Sequence, residues 1–410
     1  MYAVSLTCRS CNTCYSLENR YSCPCCGGIL EVRYGEEMLK NADVMRAFSE
    51  RCDMWIFRAF LPVKDPKNIV SLGEGGTPLL EAQRLAEFWG AELSLFVKAE
   101  GLNPSGSFKD RPTSVGVSVA KELGSSSIVI SSSGNASAAA AAYAARAGMN
   151  CVVFIPETAD PGKVMQAQSY GARVIGVKGH FSRCYDMALE CAKRYGWVNV
   201  TSTYINPYTL EGDKTVAYEL YRQMKGQVPG YIMVPIGSGP LLTGIYKGFA
   251  ELKAMGLTDA MPVMVGVQAS ACEPITQAFE SNRDQVEGWI GPGGTVAGGI
   301  FDPLMGYEGD GALTLRNVRG SGGMMLSLSE AEILEATALV EKNLGLYCEP
   351  TGAVSVGAVK KLAQQKYFRP GATVVSLLTG HGFKFTRRKM EKPPVIGEIG
   401  ELTSVLGCKE

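Results

Sequence analysis

Lys109 stands three residues after the turn Pro104, Ser105 and Gly106, at the head of a long helical pattern. A turn that runs into a helix presents backbone N–H groups and the positive end of the helix dipole to whatever lies there. An amine held in that field loses part of its preference for the charged form and becomes a usable nucleophile near neutral pH. The plain alternative is an exposed lysine on a first helical turn, since most lysines are surface residues.

Two other turns join a strand to a helix and carry polar groups. Ser131 to Asn135 reads Ser-Ser-Ser-Gly-Asn. It offers backbone donors and hydroxyls to a carboxylate or a ring oxygen, or else it is a serine-rich N-cap. Pro235 to Gly244 reads Pro-Ile-Gly-Ser-Gly-Pro-Leu-Leu-Thr-Gly. Gly237, Ser238, Gly239, Pro240 and Leu241 make a glycine-rich turn at a helix start, which suits a phosphate. A nicotinamide-dinucleotide fingerprint needs Gly-x-Gly-x-x-Gly, and here the third glycine, Gly244, comes two places late. A monophosphate is the better guest. Pro240 has no N–H, so the cradle is one donor short, and the Ser238 hydroxyl can add one.

At the N-terminus, Cys8 and Cys11 form one Cys-x-x-Cys knuckle and Cys23 and Cys26 a second. Two such knuckles a short loop apart can set four thiolates tetrahedrally around Zn2+. Cys14 and Cys25 are spare, and Cys25 competes with Cys26. The alternative is a site of free thiols. The strand-like run Ile29–Tyr34 completes a zinc ribbon. Arg9, Arg20 and Arg33 are too few for a grip on nucleic-acid phosphates, so the site reads as structural.

These turns need elements to hold them. Apolar strand patterns fall at 95–99, 128–131, 151–155, 173–177, 231–235, 263–268 and 373–378. Helical patterns fall at 42–60, 136–147, 160–170, 181–195, 241–255, 328–344 and 352–365. Strands alternating with helices predict an α/β protein with two open parallel-sheet domains. We expect a zinc ribbon at 1–35, a large cofactor-binding domain at 36–111 with 204–410, and a small domain at 112–203. Ligands of open α/β sheets sit off the carboxyl ends of strands, where most of these turns lie.

The run Asn103 to Arg111, with Ser71 to Leu79 before it, resembles the lysine motif of pyridoxal-phosphate (PLP) enzymes of the tryptophan-synthase-β type. The likeness is greatest to the threonine synthase family, and it extends to Leu377–Gly382 and Asn206–Thr215. It implies that Lys109 carries the cofactor, that Asn135 bonds the ring hydroxyl and that Thr379 meets the pyridine nitrogen. A neutral threonine there leaves the nitrogen unprotonated, which tempers the electron sink. The turn at 237–241 would seat the PLP phosphate. Ser132 and Ser133 would hold the substrate carboxylate, with Lys98 and Thr209 also at the substrate. The family's reaction turns O-phosphohomoserine and water into threonine and phosphate. Three positions depart from its pattern. Thr209 replaces an arginine that grips the substrate phosphate, and a hydroxyl cannot replace a bidentate cation. Ala136 replaces a threonine near the leaving group. Glu273 replaces a small residue, placing a carboxylate near the cofactor or merely at a helix start. These departures keep open a paralogue that acts on serine, phosphoserine or threonine by β-replacement or by elimination and deamination. His381 reads as loop packing rather than proton transfer, and His180 carries no signal.

Composition sets the outer bounds. The chain of 410 residues is long enough for two cores. Its 40 Lys and Arg balance its 40 Asp and Glu, so no net field recruits nucleic acid or an anionic membrane. No apolar run of about 18 residues or secretory leader is visible. The 13 cysteines, six of them between Cys8 and Cys26, do not form a secreted disulfide pattern. We expect a cytoplasmic homodimer acting on a small amino acid.

Overall fold

The computed structural model describes residues 1–40, 53–159, 161–178, 181–291, 293–385 and 394–397. Residues 42–52 of the expected 42–60 helix, and His180, lie outside them; Met54–Phe60 is a 3-10 helix.

Among the described residues, three sheets organise the chain. β1 (Ala3–Cys8), β2 (Cys14–Tyr15) and β3 (Leu30–Tyr34) form a small antiparallel sheet in the order β2-β1-β3. Next come β4 (Leu79–Glu81), β5 (Leu93–Lys98), β6 (Ser127–Ser131), β7 (Asn150–Pro156), β8 (Arg173–Val177) and β9 (Val198–Asn199). The last four are β10 (Tyr231–Pro235), β11 (Val263–Ala269), β12 (Met324–Leu328) and β13 (Ala372–Leu377). β6 to β9 form an all-parallel sheet in the order β8-β7-β6-β9. The six-stranded sheet runs β12-β11-β10-β13-β5-β4. It is parallel except at its edge, where β4 pairs antiparallel to β5. Its central strand β10 is buried along its whole length, as expected where helices cover both faces. One apolar cluster, with Phe249 and Leu242, packs on one face of this sheet; another, with Ile333 and Val356, packs on the other.

The elements differ from expectation at a few points. Met324–Leu328 is an edge strand beside β11, and the helix expected from Leu328 begins at Glu330 behind a Ser329 capping box. A short apolar run next to a helix looks alike in either state. The helices Thr209–Asp213, Thr215–Gln223, Pro274–Glu280 and Glu308–Gly320 were not foreseen. No helix among the described residues is long and apolar enough to cross a membrane.

Helix Asp110–Glu122 is buried without a break from Asp110 to Ala120. Its second residue, Arg111, has no solvent contact and is clamped by two carboxylates. Nε and Nη2 reach Glu100 at 2.7 Å, and Nη1 and Nη2 reach Glu219 at 2.6 and 2.8 Å. Lys98 joins them through Glu219 at 2.7 Å. Two cations and two carboxylates balance in a place where an unpaired charge would be severely destabilising. Glu219→Gln leaves Lys98 and Arg111 sharing one carboxylate. It should lower the unfolding free energy by about 3–5 kcal/mol, read from urea denaturation at neutral pH.

Candidate active site

The start of the Arg111 helix is laced to the end of β13. The Phe108 N–H donates to the Thr379 carbonyl at 3.0 Å, and the His381 N–H to the Gly106 carbonyl at 2.9 Å. Ser107 and Gly380 pair as an isolated bridge. A Cβ at Gly380 would fall 2.1 Å from Glu349 Oε1, so a side chain there would push Glu349 aside. Lys109 therefore leaves a fixed backbone, and its side chain enters a cavity of about 550 Å³, a size typical of small-molecule sites.

The cavity collects strand ends from both larger sheets. Lys109, Ser132, Ser133, Asn135 and Thr379 all line it, and so does Ala136. The Lys109 amine donates to the Ser202 hydroxyl and lies 4.3 Å from the centre of the Phe108 ring. Burial holds its pKa below the usual lysine range, partly offset by the carboxylates Asp213, Asp302 and Glu349. A neutral amine is thereby more accessible than on the surface.

The 131–135 turn is not a serine cap. Gly134 occupies the N-cap of helix Asn135–Ala147, and no side chain caps it. Helices leave their first N–H groups without partners in the helix, and here that end lies at the cavity with the Ser132 and Ser133 residues. The Asn135 amide donates to Glu349 Oε1 at 2.8 Å, which fixes which way the asparagine faces. Thr379 Oγ1 and Ser131 Oγ are buried without any protein partner, although both residues line the cavity. Buried polar atoms are rarely left so, and such atoms mark where a polar guest belongs.

The glycine turn stands at the edge of this cavity. Gly239 has φ +100°, Pro240 opens helix Pro240–Ala254, and Thr314 holds the Ser238 carbonyl. The turn does not itself line the cavity. Asp302 lies between them and lines it, with its carboxylate accepting from Ser238. The Ser238 hydroxyl is thus one donor that the turn offers to a negative group.

Two expected substrate ligands are elsewhere. Lys98 donates to the Thr77 carbonyl at 2.6 Å and to Glu219, inside the buried ion network. It is the last residue of β5, and its side chain serves that network rather than the cavity. Thr209 is buried, donates to the Asn206 carbonyl at 2.8 Å and packs its methyl towards Gly116. Glu273 precedes helix Pro274–Glu280 and does not line the cavity. His381 packs on Tyr347 and Phe383 and accepts from the Phe383 N–H, which is loop packing.

Sequence reasoning missed Ser202, Asp302, Tyr307 and Glu349. Ser202 had a usable signal, since Thr201, Ser202 and Thr203 follow the apolar run at the end of β9. Glu349 had none, because a glutamate before Pro350 looks like ordinary helix-start charge.

At the N-terminus the thiols of Cys8, Cys11, Cys23 and Cys26 lie within 4.8 Å of one another. Sγ–Sγ separations of 3.5 Å join Cys8 to Cys26 and Cys11 to Cys23, close to the ~3.8 Å edge expected for tetrahedral Zn–S bonds of about 2.3 Å. Cys25 is exposed and outside this group. The ribbon is fastened to the segment that carries Ser202. The Tyr21 hydroxyl accepts from the Asn199 N–H at 2.9 Å, and the Tyr208 hydroxyl donates to the Glu18 carbonyl at 2.9 Å.

The fold and the lysine-centred cavity define a PLP enzyme, and the comparisons agree. Residues 70–380 match the family described as "Pyridoxal-phosphate dependent enzyme", and the chain belongs to it. Within that family it is a threonine synthase-type lyase. It is 38% identical over 380 residues to threonine synthase of Methanocaldococcus jannaschii, covering 92% of each chain. It is equally identical to that of Methanosarcina acetivorans over 381 residues, again 92% of each. Among solved structures it resembles a T.th. threonine deaminase, with TM-score 0.62 and 27% identity over 77% of this chain and 94% of that one.

Thr379 Oγ1 has no protein partner to lose. Thr379→Val should therefore change the stability of cofactor-free protein by less than about 0.5 kcal/mol. It should also weaken PLP binding roughly tenfold, the loss of about one hydrogen bond, measured by absorbance titration of stripped protein.

Proposed function

We propose that this chain converts O-phosphohomoserine and water to threonine and phosphate. The observation that carries this reading is the meeting of Lys109, Asn135 and Thr379 in one cavity. The likeness to threonine synthases over nearly the whole chain supports the choice of reaction.

PLP, when bound, spreads the negative charge left at the substrate's Cα. The residues of the chain do the rest. Gly237, Ser238, Gly239 and Leu241 would seat the phosphate of PLP, Asn135 its ring hydroxyl and Thr379 its ring nitrogen. Glu349 keeps the Asn135 amide oriented. Ser132, Ser133 and the open helix end behind them would hold the substrate carboxylate. The Lys109 amine takes the Cα proton and later returns it, as a general base and acid. Ser202 keeps that amine pointed into the cavity.

A second reading is favoured by one observation. Among the described residues that line the cavity there is no arginine, and Thr209 does not reach it. The paralogue reading therefore stands for an amino acid such as serine or threonine, processed by replacement or by elimination and deamination.

Borohydride reduction should fix the cofactor's mass on Lys109, and Lys109→Ala should retain fold but lose at least about 10³ in turnover. Phosphate and threonine formed from phosphohomoserine support the first reading. An inert phosphohomoserine beside a spectral response to serine or threonine supports the second.

We further propose that Cys8, Cys11, Cys23 and Cys26 hold one structural Zn2+, which stiffens the ribbon against the Ser202 segment. Cys23→Ser should abolish stoichiometric zinc and lower the melting temperature by roughly 5 °C or more, read by metal analysis and a thermal scan. An unchanged melt would remove the structural role.

A further inference from the structure

One charged group on the cavity wall has no part in the steps given so far. Among the described lining residues the cations are Lys109 and Lys384. Lys109 is committed to the cofactor. Lys384 is half-buried and closes the 3-10 turn Gly382–Lys384 that follows β13. Its stem lies against Gly106, where a Cβ would stand 3.2 Å from Lys384 Cδ. Gly106 has φ +90°, so the turn before Lys109 favours glycine and leaves the stem its room. The ammonium is held at the wall by two hydrogen bonds. It donates to the Ser105 carbonyl at 2.8 Å and to Gln166 Oε1 at 2.7 Å. Gln166 shares one face of helix Pro161–Ser169 with Gly162 and Met165, and that face lines the cavity.

The charges on the wall are unequally answered. Asp302 accepts from the Tyr307 hydroxyl at 2.6 Å, Glu330 from the Val296 N–H at 2.8 Å and Glu349 from the Asn135 amide at 2.8 Å. Each lining carboxylate thus has a donor. Both acceptors of Lys384 are uncharged, and it forms no ion pair among the described residues. Burial lowers its pKa, and the charges of Glu349 and Asp110 partly restore it. A lysine nitrogen carries three donors, and two are taken. A partly desolvated ammonium with neutral partners and a donor to spare gains most from an anion. A phosphate monoester brings nearly two negative charges at neutral pH. With the cofactor's phosphate on the 237–241 turn and the substrate carboxylate at Ser132 and Ser133, the anion left for Lys384 is the phosphate of the substrate's side chain.

We propose that Lys384 is the cation that holds this phosphate and makes the site prefer a phosphate ester over the free alcohol. The inference rests on the first of the two readings above and gives it the cation that no arginine supplies.

The test uses holoenzyme with L-homoserine and O-phospho-L-homoserine, which differ only in the phosphate. Dissociation constants are read from the cofactor's absorbance on rapid mixing, before turnover. Wild type should bind the phosphate ester at least about ten times more tightly, the scale of one hydrogen bond to a charged group. Lys384→Gln keeps a donor but removes the charge. It should lower that ratio about tenfold, while homoserine binding and cofactor content hold. Gln166→Glu sets a carboxylate against the ammonium and should lower the ratio with Lys384 still in place. A clasp that only ties the helix to the turn at Ser105 would, once broken, weaken both ligands alike. A ratio unchanged by Lys384→Gln, or by Gln166→Glu where that variant alone folds, therefore overturns the proposal. So does a wild type that binds the two ligands equally. In either case, phosphate and threonine still formed by wild type leave the first reading standing. An absorbance that answers serine or threonine but not phosphohomoserine overturns the first reading and the proposal together.

Discussion

The burial of Arg111 between Glu100 and Glu219 is the constraint on which the rest of the molecule turns. Arg111 sits two residues beyond Lys109, on the same helical start, and is fully enclosed. A guanidinium taken out of water is tolerable only with its donors answered in a fixed geometry. Glu100 comes from the end of β5, and Glu219 from helix Thr215–Gln223. Lys98 and Thr77 close the same network. The start of the Lys109 helix is thus bound to the large sheet by charge rather than by apolar packing alone, and Lys109 is aimed as a consequence.

Around that anchor, the site is a meeting of strand ends. β6, β9 and β13 each finish at it, so each contributes a short polar turn whose backbone is held by a sheet. Catalytic groups on such turns are placed by the rigid scaffold while remaining free of strand pairing. The electrostatics follow from the same arrangement. Burial lowers the affinity of Lys109 for its proton, and Asp213, Asp302 and Glu349 partly restore it.

The ribbon is packed and hydrogen-bonded against the segment that carries Ser202. Its core side buries Cys8 and Cys23 with Leu30, Val32 and Trp55, so the knuckles are part of a packed body and not an appendage. Tyr21 and Tyr208 tie that body to both ends of the segment containing Ser202. Tyr34 reaches Glu211 at 2.7 Å in a second buried ion cluster with Lys214 and Lys247. Ribbon and Ser202 segment are thus parts of one packed body.

Local pattern alone determined much of this protein. The strand at 173–177 and the helix at 181–195 fall where periodicity placed them, because apolar alternation and helical spacing are properties of neighbouring residues. The four thiols, Lys109 and the 131–135 turn were legible for the same reason, since their chemistry resides in short runs. What chain-distant packing decides was not legible. Lys98 and Thr209 stand in motifs that resemble substrate ligands, yet ion pairing draws one away and helix packing encloses the other. Asp302 and Glu349 have no local signature; each matters because a residue far along the chain, at Gly237 or Asn135, is brought against it. Side-chain direction and the charge of a cavity are sums over segments that only the folded chain brings together, and no window of sequence contains them.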